Sequence, residues 1–511
     1  MVNSPDNSSI LFHNNENTVF LVDLPESIAQ AQEFLQATSA PGQDECVPTG
    51  QTFTISNQGN RRHKIQKRSP ISTVALMMPY PSSTEPKTDS ARAKVLSRTS
   101  LSEQQFHGEF IQPLVANALD DLRASYLPSD LQWCLPRAVL DETARGKEAS
   151  DISDPPTKKR KLEQPHGGHW SPSNQSGEMG NSIWTTAPPT ILSSTSLNIF
   201  SSTSELEGVV KNPSAEEAVL SISAVGHDGV HYPSEYIIPP RSAFVLCNLP
   251  LSQPEPLETP IPGLPSSQRF NLMLFDPPWP NRSVRRSRGY QTHSYNEMDI
   301  LSQRLQDILR VHSYRSLDDF SEFSATSTDT ITAPEPQEQI SQEVFAAIWI
   351  TNSEKARKVA YEALLASGFR IHEEWIWIKI TADGQAVCPL NGIWRKPYEI
   401  LVIGRKDPTL VVSDLGDATS RGNADTADLL DVDPSTVTRR VIAAVPDLHS
   451  RKPNLKPVFE RILFDFASES TRKTYSALEV FARGLTSEWW ACGNEVVKFN
   501  ARDCWVEHDS T

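Results

Sequence analysis

Residues 344–380 read VFAAIWITNSEKARKVAYEALLASGFRIHEEWIWIKI, and this stretch decides the fold. Its opening, VFAAIWIT (344–351), is apolar without alternation, the pattern of a strand buried on both faces. SEKARKVAYEALLASGF (353–369) then carries apolar residues at helical spacing, with Ser353 placed to cap it and Gly368 to end it. EEWIWIKI (373–380) is again a buried strand. The alternation continues downstream: YEILVIG (398–404), TRRVIAAV (438–445) and ALEVFAR (477–483) predict strands, and KPVFERILFDFA (456–467) predicts a helix. Strand, helix, strand in repetition predicts an α/β chain with a doubly wound sheet, whose ligands bind at the carboxyl ends of its strands.

Upstream lies NLMLFDPPWPNR (271–282). LMLF suits a buried strand, and consecutive prolines cannot continue one, so they begin a stiff loop at its end. That puts Asp276 at the ligand edge of the sheet. Its carboxylate and the carbonyl of Pro277 accept hydrogen bonds, while Pro277 and Pro278 have no N–H to donate, so the corner is rigid and acceptor-rich. Such a corner suits a planar NH2 group, and Trp279 adds a flat face for stacking or packing against a base. The chemistry that fits is alkylation of an exocyclic amine. Two acceptors on the amine hydrogens localise a lone pair otherwise spread into the ring, and they stabilise the positive charge that grows on nitrogen. Asp276 then orients the amine and only secondarily accepts its proton.

The chain has 511 residues, 39 Pro, 22 Gly, a mean hydropathy of -0.41 and a formal net charge of -15. The length suggests two to four domains, and the composition predicts that part of the chain is unfolded. Uniform acidity excludes nucleic-acid binding by general charge and requires local basic patches instead. Six scattered cysteines without a C-x-x-C pair predict no zinc or other metal site and a reducing compartment. The absence of a long apolar run or a signal-peptide core predicts a soluble, intracellular protein with no membrane partner. Residues 1–37 predict a short ordered segment (a strand, a turn at Leu24-Pro25 and a short helix), 38–100 a low-complexity linker, and 101–140 a helical segment interrupted at Pro113. Residues 141–182 are linker-like and contain Lys158, Lys159, Arg160 and Lys161, a proline-led basic run that predicts a nuclear import receptor as partner and a nuclear location. Residues 184–250 predict a β-rich N-terminal domain, and 251–508 the α/β domain with mobile insertions near 315–340 and 406–435.

With these residues in view, Asp276–Trp279 resembles the D-P-P-W motif of the MT-A family of S-adenosylmethionine-dependent N6-adenine methyltransferases. The likeness extends through YQTHSYNEM (290–298), WIWIK (375–379), NGIWRKPYEILVIGR (391–405), HSRKP (449–453) and LEVFAR…WWACGNEV (478–496), and is greatest to the methyltransferase-like protein 4 branch. The resemblance implies a permuted Rossmann-like methyltransferase sheet, with the catalytic motif ahead of the cofactor blocks. It implies S-adenosyl-L-methionine as cofactor, with Lys452 at its carboxylate, Glu479 and Arg483 at the ribose and its neighbourhood, and Asn494 and Glu495 at the adenosyl moiety. Asn248 stands where a polar residue caps the cofactor adenine, and Asp276 borders the same site. On the substrate side, Arg282, Arg285, Arg286 and Arg288 form a cationic run suited to clamping phosphates, Tyr290 suits the base pocket, and Lys396 and Glu399 are candidates beside it. The function so implied is N6-adenine methylation of RNA, with the branch pointing to small nuclear RNA and a 2′-O-methylated adenosine. A DNA N6-adenine methyltransferase and a catalytically silent scaffold subunit remain the two other readings. The sequence names no obligatory protein partner.

Overall fold

The computed structural model describes residues 9–34, 68–81, 85–126, 133–139, 188–225, 231–279, 297–314, 339–340, 343–393, 395–410, 436–448, 451–464 and 473–508. Twelve strands form one sheet: β1 (Ile10–His13), β2 (Val19–Val22), β3 (Thr190–Ile191), β4 (Val209–Lys211), β5 (Ala243–Leu246), β6 (Leu272–Phe275), β7 (Phe345–Ile350), β8 (Phe369–Lys379), β9 (Tyr398–Lys406), β10 (Thr438–Ala444), β11 (Ala477–Val480) and β12 (Trp490–Gly493). Across the sheet they run β1-β2-β10-β8-β9-β7-β6-β11-β12-β5-β4-β3. The five strands β7, β6, β11, β12 and β5 are mutually parallel. β9 lies antiparallel between β7 and β8. The expected Rossmann-like α/β sheet is therefore present, mostly parallel, with reversals at β9, at the edge strand β1 and between β5 and β4.

Alternation along β6 and its neighbours sends their side chains to two cores, while β4, β5 and β12 contribute Val210, Phe244 and Ala491 to a third. Met273 and Phe275 face one core with Leu301, Leu305 and Leu309 of the helix Glu297–His312 and with Ala360 and Leu364 of the helix Glu354–Ala366. Leu272 and Leu274 face the other with Val458 and Phe459 of the helix Lys456–Ile462. Trp375 stacks on Phe459 there, with ring centroids 5.0 Å apart. Because both faces are covered, all six residues of β7 are buried, which explains its unbroken apolar sequence. Ser353 caps the helix 354–366 by accepting from the N–H of Ala356, and Gly368 follows its end at φ 77°.

The chain leaves β6 for the helix 297–312 and β7 on one side, whereas β11, reached much later, lies on the other. The carboxyl end of β6 is thus a switch point, where the loops diverge and leave a crevice.

Several boundaries fall differently from the sequence reading. The 1–37 segment and the 184–250 region do not stand apart: β2 pairs with β10, and β5 pairs with β12, inside the central sheet. Within 184–250 only the strands Asn198–Phe200, Ala218–Val225 and His231–Ile238 form a small sheet of their own. Leu24-Pro25 begin the helix Leu24–Gln30 rather than a turn, with Asp23 accepting from the N–H of Glu26. Parts of the expected linker 38–100 are folded: Arg68–Pro70 pairs with Trp505–Glu507, and Asp89–Leu96 is a helix. In the helical segment, the interruption is a π-helical stretch, Phe106–Ile111, between Leu101–Gln105 and Gln112–Ser125. Pro113 follows it at the start of the second α-helix, where a missing N–H costs least. The insertion 315–338 and most of 406–435 lie outside the described residues. No helix among the described residues is long and apolar enough to cross a membrane.

Candidate active site

Asp276 follows β6 directly, and its N–H donates to the carbonyl of Val480 at the end of β11 (3.3 Å). Both carboxylate oxygens meet cations: Lys452 Nζ lies 2.6 Å from Oδ1 and Arg483 Nη2 2.8 Å from Oδ2. Lys452 also lies 3.5 Å from Glu399 Oε2, and Lys379 donates to Glu399 Oε1 at 2.6 Å. The result is a chain of alternating charge, Lys379–Glu399–Lys452–Asp276–Arg483, drawn from β8, β9, the segment before the helix 456–462, the end of β6 and the loop after β11. Lys452 sits 5.4 Å from the centroid of Trp349, a cation–π contact that adds to its fixation. Burial opposes ionisation of Glu399, yet the Lys452 and Lys379 ammonium groups outweigh it and hold the carboxyl at about 2. Burial likewise disfavours the charged form of Lys452, but Asp276 and Glu399 raise its pKa overall.

Glu479 differs. It lies on β11 opposite Leu274, and no described residue hydrogen-bonds its side chain. Burial first, and then the negative charge of Asp276, push its pKa up to about 7. Phe481, two residues on, holds φ 63°, a strained conformation for a bulky residue and of the kind found at ligand clamps.

A cleft open to solvent adjoins these groups and is lined by Asp276, Trp349, Lys452, Glu479, Phe481 and Arg483. Its far wall comes from residues that the sequence reading did not select. Gln32, just past the helix 24–30, donates to the carbonyl of Leu485, and Asn500 accepts from the N–H of Leu485 while donating to Gln32. Asn454 donates to Thr486. Together they fix the loop 484–486 behind Arg483. No local motif marks Gln32 or Asn500, which lie 468 residues apart and meet only through the fold.

Asp276, Lys452, Glu479 and Arg483 therefore come together at one cleft, with Glu399 joining them through Lys452. Lys452 and Arg483 point at the Asp276 carboxylate itself, an arrangement absent from the sequence reading. Trp279 requires a correction: it is buried, and its Nε1 donates to the carbonyl of Trp349 at 2.7 Å, so the indole braces the loop and offers no free face to a base. The Pro277 carbonyl, expected as a free acceptor, already receives the N–H of Trp279 at 2.8 Å, while Pro278 is exposed. Asn248 and Asn494 are exposed at the ends of β5 and β12, and Glu495 pairs with Lys498 at 2.8 Å. These three share the carboxyl edge of the parallel strands with Asp276 but do not line its cleft. The Cys247 N–H donates to the Gly493 carbonyl, which sets Asn248 beside Asn494. Lys396 does not pair with Glu399; burial lowers its pKa, and the nearby carboxylates are Glu103 and Glu85. Arg282, Arg285, Arg286, Arg288, Tyr290 and the run Lys158, Lys159, Arg160 and Lys161 lie outside the described residues.

Residues 321–495 match the family model described as MT-A70. This chain carries an MT-A70 domain. The matched range holds Glu399, Lys452, Glu479 and Arg483, and Asp276 precedes it, joined to the MT-A70 domain by two ion pairs. The chain is 32% identical over 242 residues to the "N6-methyladenosine RNA methyltransferase MTA1" of Cryphonectria parasitica, covering 47% of this chain and 55% of that protein. It is 29% identical over 279 residues to the "N(6)-adenine-specific methyltransferase METTL4" of Mus musculus, covering 54% and 46%. A "DNA N6-methyl methyltransferase" of Caenorhabditis elegans is 22% identical over 228 residues, covering 44% and 45%. The chain thus spans about half the length of the curated relatives it matches.

Proposed function

We propose that this protein is an S-adenosylmethionine-dependent N6-adenine methyltransferase acting on RNA. The observation that carries the reading is Asp276, a carboxylate at the switch point of a parallel sheet, clamped by Lys452 and Arg483 at the mouth of a cleft. The donor set suits the cofactor. Glu479 is a carboxylate facing the cleft with no donor of its own among the described residues, which suits a pair of ribose hydroxyls, and Lys452 suits a carboxylate. When bound, the cofactor supplies an electrophilic methyl group on a sulfonium.

The chain's own residues then supply orientation. A carboxylate has about four lone-pair sites, and Lys452 and Arg483 occupy two, so Asp276 retains capacity to accept from an amine N–H. The two cations fix the carboxylate plane, so that acceptance needs no rearrangement during reaction. Trp279, locked to the Trp349 carbonyl, keeps the loop stiff. The alkylated amine is acidic, and its proton passes to Asp276 or to water without a strong base.

RNA is preferred because relatives named for RNA N6-methyladenosine match at 30–32% identity, against 22% for a relative named for DNA. The finer proposal, an adenosine of small nuclear RNA bearing a 2′-O-methyl group, rests on branch resemblance alone. Nuclear import through Lys158–Lys161 is likewise proposed from sequence alone, and alanine at all four positions should leave a fluorescent fusion outside the nucleus. The scaffold reading is disfavoured by the intact Asp276 cluster. The test is label transfer from S-adenosylmethionine to matched RNA and DNA oligonucleotides, wild type beside Asp276→Ala. Label on RNA adenine that the variant loses supports the proposal; label on DNA alone would reassign the substrate, and absence of cofactor binding would favour the scaffold.

A further inference from the structure

The loop that joins β8 to β9, residues 380–397, lies at the same edge as Asp276, because β8 ends there and the antiparallel β9 begins there. It is flanked by Lys379 and Glu399, two members of the ionic chain that reaches Asp276. The cleft residues 479–486 occupy the flank of Asp276 on the β11 side, and this hairpin occupies the β7–β9 side. Two reactants must meet at Asp276, so if one fills the cleft, the other approaches past the hairpin.

That hairpin is held by N-terminal residues that precede the MT-A70 match. The Ala382 N–H donates to the Leu76 carbonyl and the Trp133 N–H to the Ala382 carbonyl, both at 2.7 Å, and the Tyr80 N–H donates to the Val387 carbonyl at 2.8 Å. Arg123 Nη2 donates to the Gly384 carbonyl at 3.3 Å. Gly384, at φ 81°, lies so close to the Trp133 ring that an added Cβ would come within 2.5 Å of it. The far arm of the hairpin is held by one carboxylate: Glu85 accepts from the N–H of Ile393 (Oε2, 3.0 Å) and of Arg395 (Oε1, 3.4 Å). A single anion taking two amides of this arm ties both to one point, as an anion does in a nest of backbone N–H groups.

We infer that Glu85 is a positioning residue: by capping the Ile393 and Arg395 amides it sets the 388–397 arm in the shape that receives the nucleic-acid substrate, leaving the cofactor cleft untouched. The inference rests on the methyltransferase reading above and adds a determinant outside the matched domain. Glu85→Ala removes both acceptors, and Glu85→Gln keeps one neutral oxygen, so the variants form a graded pair.

The experiment compares full-length wild type, Glu85→Gln and Glu85→Ala by amide exchange, by S-adenosylmethionine binding in a calorimeter, and by steady-state kinetics on an adenine-containing single-stranded RNA oligonucleotide. The expected result is faster exchange confined to 388–397, greatest for the alanine variant. KM for the oligonucleotide rises about tenfold in that variant, the loss expected for one charge-assisted hydrogen bond, with kcat unchanged. Glu85→Gln lies between, and cofactor affinity stays within about twofold for both. Unchanged exchange in 388–397, unchanged KM despite faster exchange, or a parallel loss of cofactor affinity would each overturn it. If wild type binds cofactor but transfers no methyl group, the methyltransferase reading fails, and oligonucleotide binding by the same variants replaces KM as the deciding measurement.

Discussion

Two charge clusters stand on this sheet, and they differ in one respect that separates support from function. The first joins β8 to β10: Glu374, fully buried, accepts from Arg439 Nε at 2.7 Å and from the Tyr361 hydroxyl at 2.8 Å, while Glu373 accepts from both Arg440 Nε and Nη2 at 2.7 Å. Trp375 Nε1 donates to Glu373 as well. Its carboxylates are enclosed and paired with the arginines of β10, and neither lines the cleft. The second cluster, around Asp276, opens onto the cleft and includes Glu479, a carboxylate without a described donor. Closed ion pairs hold strands together. An open cluster with an unsatisfied member is where a ligand completes the set.

The contrast can be broken most sharply at Asp276. Alanine there should cut methyl transfer by roughly 10³-fold, on the scale of a lost preorganised electrostatic group, while melting and cofactor affinity change little. A fall in the melting temperature to match would place Asp276 with the structural cluster instead. Conversely, Arg439→Ala strands the buried Glu374 and should cost about 3–5 kcal/mol in chemical denaturation, with kcat per folded molecule unaltered. Loss of kcat without loss of stability would erase the distinction.

Two pH effects sharpen it further. Glu479 titrates at about 7 in the folded chain against an ordinary value near 4.5, so between these pH values the folded state holds a proton that the unfolded chain has released. Its contribution therefore declines as pH rises through that window, and Glu479→Gln should flatten this part of the stability profile. His107 and His312 act in the opposite sense. Burial lowers them to about 3 and about 4, so the unfolded chain takes up protons first and stability falls as pH drops below about 6.5. Replacing His312 by Asn should reduce that acid slope in thermal melts between pH 6 and 4. The smallest effect belongs to the exposed pair of Arg405 and Glu343, whose removal should change stability by less than about 1 kcal/mol in the same melts.

Much of this was legible in the chain itself. Strand and helix positions in 344–480 follow from local apolar spacing, because burial on one or both faces imposes a period that a single segment displays. Asp276 was legible for the same reason: an acid after LMLF and before two prolines must stand at the end of a buried strand. Resemblance then selected Lys452, Glu479 and Arg483. It also selected Asn248, Asn494 and Glu495, which share the edge but stay outside the cleft, since a motif gives a strand end and not the direction of its side chain.

Tertiary structure decided the rest. The partners of Asp276 lie 176 and 207 residues away; the placing of β6 beside β11 brings Arg483 to the carboxylate, and the segment between β10 and the helix 456–462 brings Lys452. Trp279 turned inward because a carbonyl was waiting at the end of β7, which nothing near it in sequence announces. β2 and the residues around Glu85 joined the domain through unpaired strand edges and loop amides. Backbone groups are alike in every residue, and which of them remain to be satisfied is fixed only once the sheet has formed.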